Sequence, residues 1–346
     1  MQAFLLEPDA GGRISGGYLY NARIAEGSAA VQRRALSVDA FGAGLDELRL
    51  PNDAWLIADS LFLSPEPMAA LERACRGTHR RRAMLLHALP SFIERAGDRA
   101  ELARSLPLRP TPDELALLET LDLVLAPGPL LPRLLAESGA RVRAAVCPPG
   151  VDRPEPAPFS AGSAEVRLVS IGSVTPLKGF IDGVEALGAL REQAFRWTIV
   201  GHLGVAPDYV EQLRSTIGAL GLSDRVELAG QLDHAQTLAT LRASDLLLLT
   251  SFTENHPLVA LEALMAHVPI VGYAVGGLPD IVRDGETGLL SPLLDVPRLS
   301  QNLARALGDR RERARLADGC ARAAAALPTW AEAARSFERV LEAHER

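Results

Sequence analysis

Residues 251–288 read SFTENHPLVALEALMAHVPIVGYAVGGLPDIVRDGETG, and more of the fold and function can be read here than anywhere else in the chain. Leu258, Leu261, Leu264 and Met265 recur at helical spacing, which places Glu262 inside a helix and Glu254 just ahead of it. Pro257 fits the first turn of that helix, where its missing N–H is no loss. The apolar run over 269–275 predicts a strand that ends in a Gly276-Gly277 turn. A carboxylate accepts hydrogen bonds from two neighbouring hydroxyls at once. The acid pair at a helix start therefore points to a sugar-and-phosphate site.

The helix-then-strand pattern repeats outward from this segment. In the first half, short apolar runs over 3–6, 55–58, 83–86, 123–125 and 142–147 predict strands. Helical character over 18–30, 114–121 and 130–138 alternates with them, and 7–17 reads as a loop. A Pro- and Ala-rich linker over 148–162 precedes a second series, with strands at 166–171, 197–200, 226–228, 246–249 and 270–271. Such βα alternation implies parallel sheets with helices on their faces. The reading is α/β: two Rossmann-like domains whose facing strand ends are expected to form a central cleft. The divisions are 1–152, 153–328 and a closing amphipathic helix over 329–346. That helix lines up Trp330, Ala333, Phe337, Val340 and Leu341, and it either caps the second domain or crosses back to the first. The Arg- and Ala-rich stretch over 310–326 reads as a surface helix.

Composition narrows the partners. A chain of 346 residues exceeds one ordinary core and suits two domains. The net charge of −7 argues against nucleic acid as the main partner. The one basic cluster, His79-Arg80-Arg81-Arg82, reads as a solvated helix end or loop, so membrane contact is peripheral at most. No apolar run reaches the length of a membrane span, and the N-terminus reads as a first strand and not as a signal peptide. Cys75, Cys147 and Cys320 lie far apart with no metal spacing, which suits a reduced, cytoplasmic setting.

Of 36 basic side chains, 35 are arginine and one, Lys178, is lysine. It stands in SIGSVTPLKGF, after a predicted strand and near a helix start, where an ammonium binds phosphate as a compact point charge. Ile14-Ser15-Gly16-Gly17 follows the first strand, and its glycines let backbone approach a phosphate closely. His87 ends the strand over 83–86, where side chains of an open α/β sheet meet ligand. His202 is a weaker case of the same kind, and His79, His234, His267 and His344 carry no signal by position. There is no Asp-x-Asp pair, metal-ligand spacing, nucleophile elbow or P-loop. Gly201-His202-Leu203-Gly204 is too short for a dinucleotide fingerprint.

Together these features resemble the retaining nucleotide-sugar glycosyltransferases of the GT-B fold, the large family-4 group. The resemblance rests on Gly16-Gly17, PPGVD (148–152), GSVTPLKG (172–179), the Glu254-x7-Glu262 block, GGLPDIVRDGETG (276–288) and the Trp330 helix. It implies a metal-independent transfer from a nucleoside-diphosphate sugar, with uridine or guanosine as nucleoside and no cofactor. The acceptor is a small molecule, a lipid-linked sugar or a glycan, held by loops around 61–66 and 89–99. Glu254, Lys178 and His87 are the implied catalytic residues. Gly16, Gly17, Ser173, Lys178, Glu254, Asn255, His256, Pro257, Leu258 and Glu262 are the implied donor-binding set. Within it, Glu262 takes the ribose hydroxyls, Glu254 the transferred sugar and Lys178 the diphosphate. The closing helix would then return to the first domain. The chain departs from the family at Ser173, where arginine is common, and at Asn255-His256-Pro257, where Gly-aromatic-Gly is common. Alternative readings keep the fold: an epimerase or phosphorylase, or a non-catalytic nucleotide-sugar-binding partner of another transferase.

Overall fold

The computed structural model describes residues 1–9, 15–153 and 165–345, so the predicted loop over 7–17 and linker over 148–162 lie partly outside the described residues. The chain forms two compact units. One comprises 1–94, 107–150 and 328–346, and the other 95–106 and 151–327.

The first unit holds six parallel strands: β1 (Ala3–Pro8), β2 (Val31–Leu36), β3 (Trp55–Asp59), β4 (Arg81–Leu85), β5 (Leu123–Ala126) and β6 (Ala144–Val146), in the order β2-β1-β3-β4-β5-β6. The second holds β7 (Val166–Ile171), β8 (Phe195–Val200), β9 (Val226–Gly230), β10 (Leu246–Leu249), β11 (Ile270–Tyr273) and β12 (Gly288–Ser291). Its order, β12-β11-β10-β7-β8-β9, is the doubly wound arrangement of dinucleotide-binding domains. The α/β reading therefore holds in both halves. Central strands such as Leu246–Leu249 are buried along their whole length because helices cover both faces of a parallel sheet. Leu56, Leu86 and Val124 pack with Phe41, Leu71 and Leu135 in the first unit; Val169, Leu247 and Ile270 pack with Leu261 and Leu264 in the second.

Several local expectations change. The helix predicted over 18–30 runs Gly16–Glu26, and Val31–Leu36 is an additional strand. Its VQRRAL sequence buries only its two ends, so no apolar alternation announced it. The short strand Gly288–Ser291, which starts at the last residue of the GETG turn, is likewise additional. Helix Arg310–Ala324 is not simply a surface helix: Leu316, Ala317 and Cys320 are buried, and Arg313 donates to the carbonyls of Ala306 and Leu307. Small side chains there make a close-packed face that hydropathy underrates. The basic cluster is not merely solvated either. Arg80 donates to the carbonyls of Leu50, Pro51 and Ala74, and Arg81 lies 5.7 Å over the Trp55 ring and donates to the carbonyl of His344.

The closing helix Trp330–Ala343 begins with a capping box between Thr329 and Glu332 and packs on helix Gly16–Glu26. Its Trp330 ring meets Tyr20 edge-on at 6.2 Å, and the Ser28 hydroxyl donates to Glu338. The segment 95–106 joins the second unit through Arg99, whose Nη1 lies 2.6 Å from buried Asp182.

Candidate functional site

An open α/β sheet binds ligand at the carboxyl ends of its strands, where the strand order reverses. In the second unit that point lies between β7 and β10. The loop after β7 carries Gly172, Ser173 and Lys178; the loop after β10 carries Glu254 to Leu258. Chain topology thus puts residues 76 positions apart side by side, and Lys178 Nζ lies 2.7 Å from Glu254 Oε1. The two loops are also tied through backbone: Phe252 N–H donates to the Leu177 carbonyl (2.8 Å) and the Thr250 hydroxyl to the Lys178 carbonyl (2.8 Å). Lys178 closes a short 3-10 turn, Pro176–Lys178, and Gly179 turns the chain into helix Phe180–Gly188 at φ +57°. A β-carbon on Gly179 would lie 2.2 Å from the Thr250 carbonyl oxygen, so the approach of the two loops requires glycine. The lysine stem crosses Gly172, and Ser173 follows that glycine without entering the ion pair.

The second wall is the opening segment of the sequence. Gly276 adopts φ +56° directly under the Glu254 carbonyl, which accepts the Gly277 N–H at 2.8 Å. The glycine pair therefore fixes the backbone of Glu254. Pro257 is the N-cap of helix Leu258–Met265 and supplies no side-chain cap, just as Gly179 supplies none to helix Phe180–Gly188. By contrast, helix His234–Arg242 carries a capping box of Asp233 and Gln236. At the start of helix Phe180–Gly188 the Tyr209 hydroxyl accepts the Ile181 N–H at 3.3 Å. Helix Leu258–Met265, which has no side-chain cap, is the start that presents backbone N–H groups and a dipole end to an anion.

Glu262 sits in a different environment. Its nearest basic group, His234 Nε2, is 3.9 Å away, and His234 also lies 3.7 Å from Asp152. Burial first, and then the Asp152 charge, push the Glu262 carboxyl up to about 7. His256 is pushed down to about 4 by burial, against the pull of Asp280, and its Nδ1 is enclosed without a hydrogen-bond partner among the described residues. Sequence reading gave His234 no role and took Asp152 only as the end of the PPGVD segment. The signal available was topological: Asp152 opens the second unit, and His234 follows the edge strand β9.

Gly16, Gly17 and His87 lie in the first unit. Gly16 and Gly17 open helix Gly16–Glu26, whose N-cap Ser15 accepts the Tyr18 N–H. A β-carbon on Gly17 would lie 3.3 Å from His87 Cδ2, so the glycine turn and the histidine ring are in contact range. His87 joins a buried group of Glu7, Asn21 and Asp59 at the switch between β1 and β3, a group that no motif marked. Among the described residues, no cluster of three or more His, Cys, Asp or Glu could hold a metal ion, and no helix is long and apolar enough to cross a membrane.

Solved structures share this architecture. A sucrose-phosphate synthase from Thermosynechococcus elongatus superposes with a TM-score of 0.80 at 20% identity, covering 99% of this chain and 98% of that one. Anabaena HepE, solved with UDP-glucose, gives a TM-score of 0.78 at 18% identity over 99% of this chain and 100% of that one. The fold is GT-B. Within it, residues 155–321 match the family Glycosyl transferases group 1, a stretch that contains Lys178, Glu254 and Glu262. A D-inositol 3-phosphate glycosyltransferase of Salinispora tropica is 34% identical over 207 residues, 58% of this chain and 41% of that protein. The matches span half or less of the curated relatives' length.

Proposed function

We propose that this protein is a retaining, metal-independent glycosyltransferase that moves a sugar from a nucleoside-diphosphate sugar to an acceptor hydroxyl. The observation that carries the reading is the meeting of the sole lysine with Glu254 across the β7/β10 switch point, beside the uncapped start of helix Leu258–Met265. An ammonium has three N–H donors, and Glu254 occupies one direction. The others, with the helix N–H groups, stabilise charge on a departing diphosphate without a metal.

In this reading Glu262 accepts the two ribose hydroxyls, Glu254 contacts the transferred sugar, and Asn255 to Leu258 line its wall. Ser173 supplies a hydroxyl where a second cation is common, so Lys178 carries more of the diphosphate charge. Within the first unit, His87 beside the Gly16-Gly17 turn offers a hydrogen-bonding group for a substrate hydroxyl. The acceptor hydroxyl attacks on the face from which the diphosphate leaves. The C–O bond to phosphate breaks as the new C–O bond forms, and a β-phosphate oxygen takes the hydroxyl proton. Glu254 is engaged by Lys178 and is not assigned as a nucleophile. The HepE complex with UDP-glucose makes a UDP-sugar the first donor to try.

Thermal shift against UDP-, GDP- and ADP-glucose, each with and without EDTA, tests the proposal. One nucleotide class should raise the melting temperature equally in both conditions, and NMR of the transfer product should show the donor's anomeric configuration. Stabilisation by no nucleotide sugar, or only in the presence of a divalent cation, would sink it.

A further inference from the structure

The buried group under His87 has a hydrogen-bond logic of its own. Asn21 is completely buried, and Glu7 and Asp59 beside it are nearly so. The Asn21 amide nitrogen lies 3.0 Å from Glu7 Oε2 and 3.0 Å from Asp59 Oδ2. Each carboxylate has a further donor: Arg33 Nε reaches Glu7 Oε1 at 2.8 Å, and the Leu61 N–H reaches Asp59 Oδ1 at 2.9 Å. Ionised carboxylates only accept, so the atom between them must be the amide NH2, with both hydrogens used. Turning the amide over would set a carbonyl oxygen against two carboxylates.

The Asn21 oxygen consequently faces His87, 2.9 Å from Nε2. An amide oxygen has no proton to give, so Nε2 must carry one. A neutral imidazole holds a single N–H, which leaves Nδ1 with a bare lone pair. Burial favours that neutral form, although the charges of Asp59 and Glu7 pull the other way. The remaining neighbours leave the ring in place: Tyr20 packs edge-on at 5.4 Å, and the His87 backbone N–H donates to Ser60 Oγ at 3.2 Å. The side chain keeps 18% of its surface exposed, and no donor among the described residues meets Nδ1.

We infer that Asn21 is a positioning residue: gripped by Glu7 and Asp59, it fixes His87 as the Nε2–H tautomer and presents Nδ1 as a hydrogen-bond acceptor. The group received there is one that donates, a hydroxyl of a sugar or of an alcohol acceptor, and not a phosphate or carbonyl oxygen. That this hydroxyl belongs to a transferase substrate rests on the function proposed above; the tautomer does not.

The test reads the imidazole directly. In whole protein carrying 13C,15N-histidine, the His87 signals are assigned by their loss in His87→Gln, with no substrate present. At pH 7.5 the expected nitrogen shifts are those of a protonated Nε2 and an unprotonated Nδ1. In Asn21→Ala, checked for folding by its thermal transition, the tautomer preference should relax. The titration midpoint of His87 should rise, because Glu7 and Asp59 then act on the ring without the amide between them. With UDP-glucose as donor, the same variant should raise KM by up to about tenfold with a smaller change in kcat. An Nδ1–H tautomer in the unmodified protein overturns the inference, and that readout stands even if Asn21→Ala fails to fold. Unchanged tautomer and midpoint in a folded Asn21→Ala overturn it equally. Failure of the unmodified protein to transfer any sugar would instead remove the transferase reading and leave the tautomer untouched.

Discussion

Glu254 and Glu262 stand eight residues apart in one segment, yet the fold gives them opposite surroundings. Glu254 is met by an ammonium at 2.7 Å, and its backbone is pinned by the Gly276-Gly277 turn. Glu262 is largely buried beside another acid, and among the described residues its ion-pair partner is a histidine at 3.9 Å. One carboxylate is charge-compensated by its own protein. Burial and the Asp152 charge hold the carboxyl of the other up at about 7, so its ionised form gains from a new hydrogen-bond donor. That difference suits the two proposed tasks: Glu254 contacts the transferred sugar while fixing the cation that meets phosphate, whereas Glu262 remains underprovided until ribose hydroxyls arrive.

The largest effect should come from removing the compensated side. Lys178→Ala should lower kcat by about a hundredfold or more, the range for losing a group that stabilises a developing oxyanion. It should also weaken UDP binding while leaving uridine nearly unchanged, measured by calorimetry with both ligands. Equal losses for UDP and uridine would take Lys178 off the diphosphate and erase the contrast between the two acids.

The uncompensated side should behave differently, in stability as well as binding. The folded-state value for Glu262 of about 7 lies above the ordinary 4.5. Its contribution to stability is therefore full below about pH 4.5 and lost as pH rises through about 7. Glu262→Gln should be more stable than the unmodified protein at pH 8, by on the order of 1–3 kcal/mol, and no more stable at pH 4.5. The same variant should bind UDP more weakly at pH 8. Urea unfolding at the two pH values and UDP titration check both halves. A variant that is less stable at pH 8 would show that Glu262 is already compensated.

Much of this contrast was legible in the sequence. The spacing of Leu258, Leu261 and Leu264 located Glu262 in a helix, and the sole lysine announced itself by composition alone. Local spacing could not show that Lys178 and Glu254 touch, since that follows from strand order. It could not show His234 and Asp152 beside Glu262 for the same reason. Asn21 was invisible because a lone asparagine in a helix has no signature until the carboxylates of β1 and β3 are brought around it. The edge strand Val31–Leu36 escaped because its exposed arginines break the apolar pattern.

The smallest effect sharpens the comparison from the acid side. His256 stands between the two glutamates in sequence, and burial pushes it down to about 4 from the ordinary 6.5. For a depressed histidine the stability contribution is present above about pH 6.5 and lost as pH falls through about 4, because the unfolded chain takes up the proton first. Glu262 and His256 thus erode the apo protein from opposite ends of the pH scale. His256→Gln should flatten the decline between pH 6.5 and 4 by about 1–2 kcal/mol and leave pH 8 unaffected. An unchanged acid limb in urea unfolding would mean that His256 charges freely in the folded protein. The enclosed, unpartnered Nδ1 argues otherwise: a proton placed there would have no acceptor among the described residues.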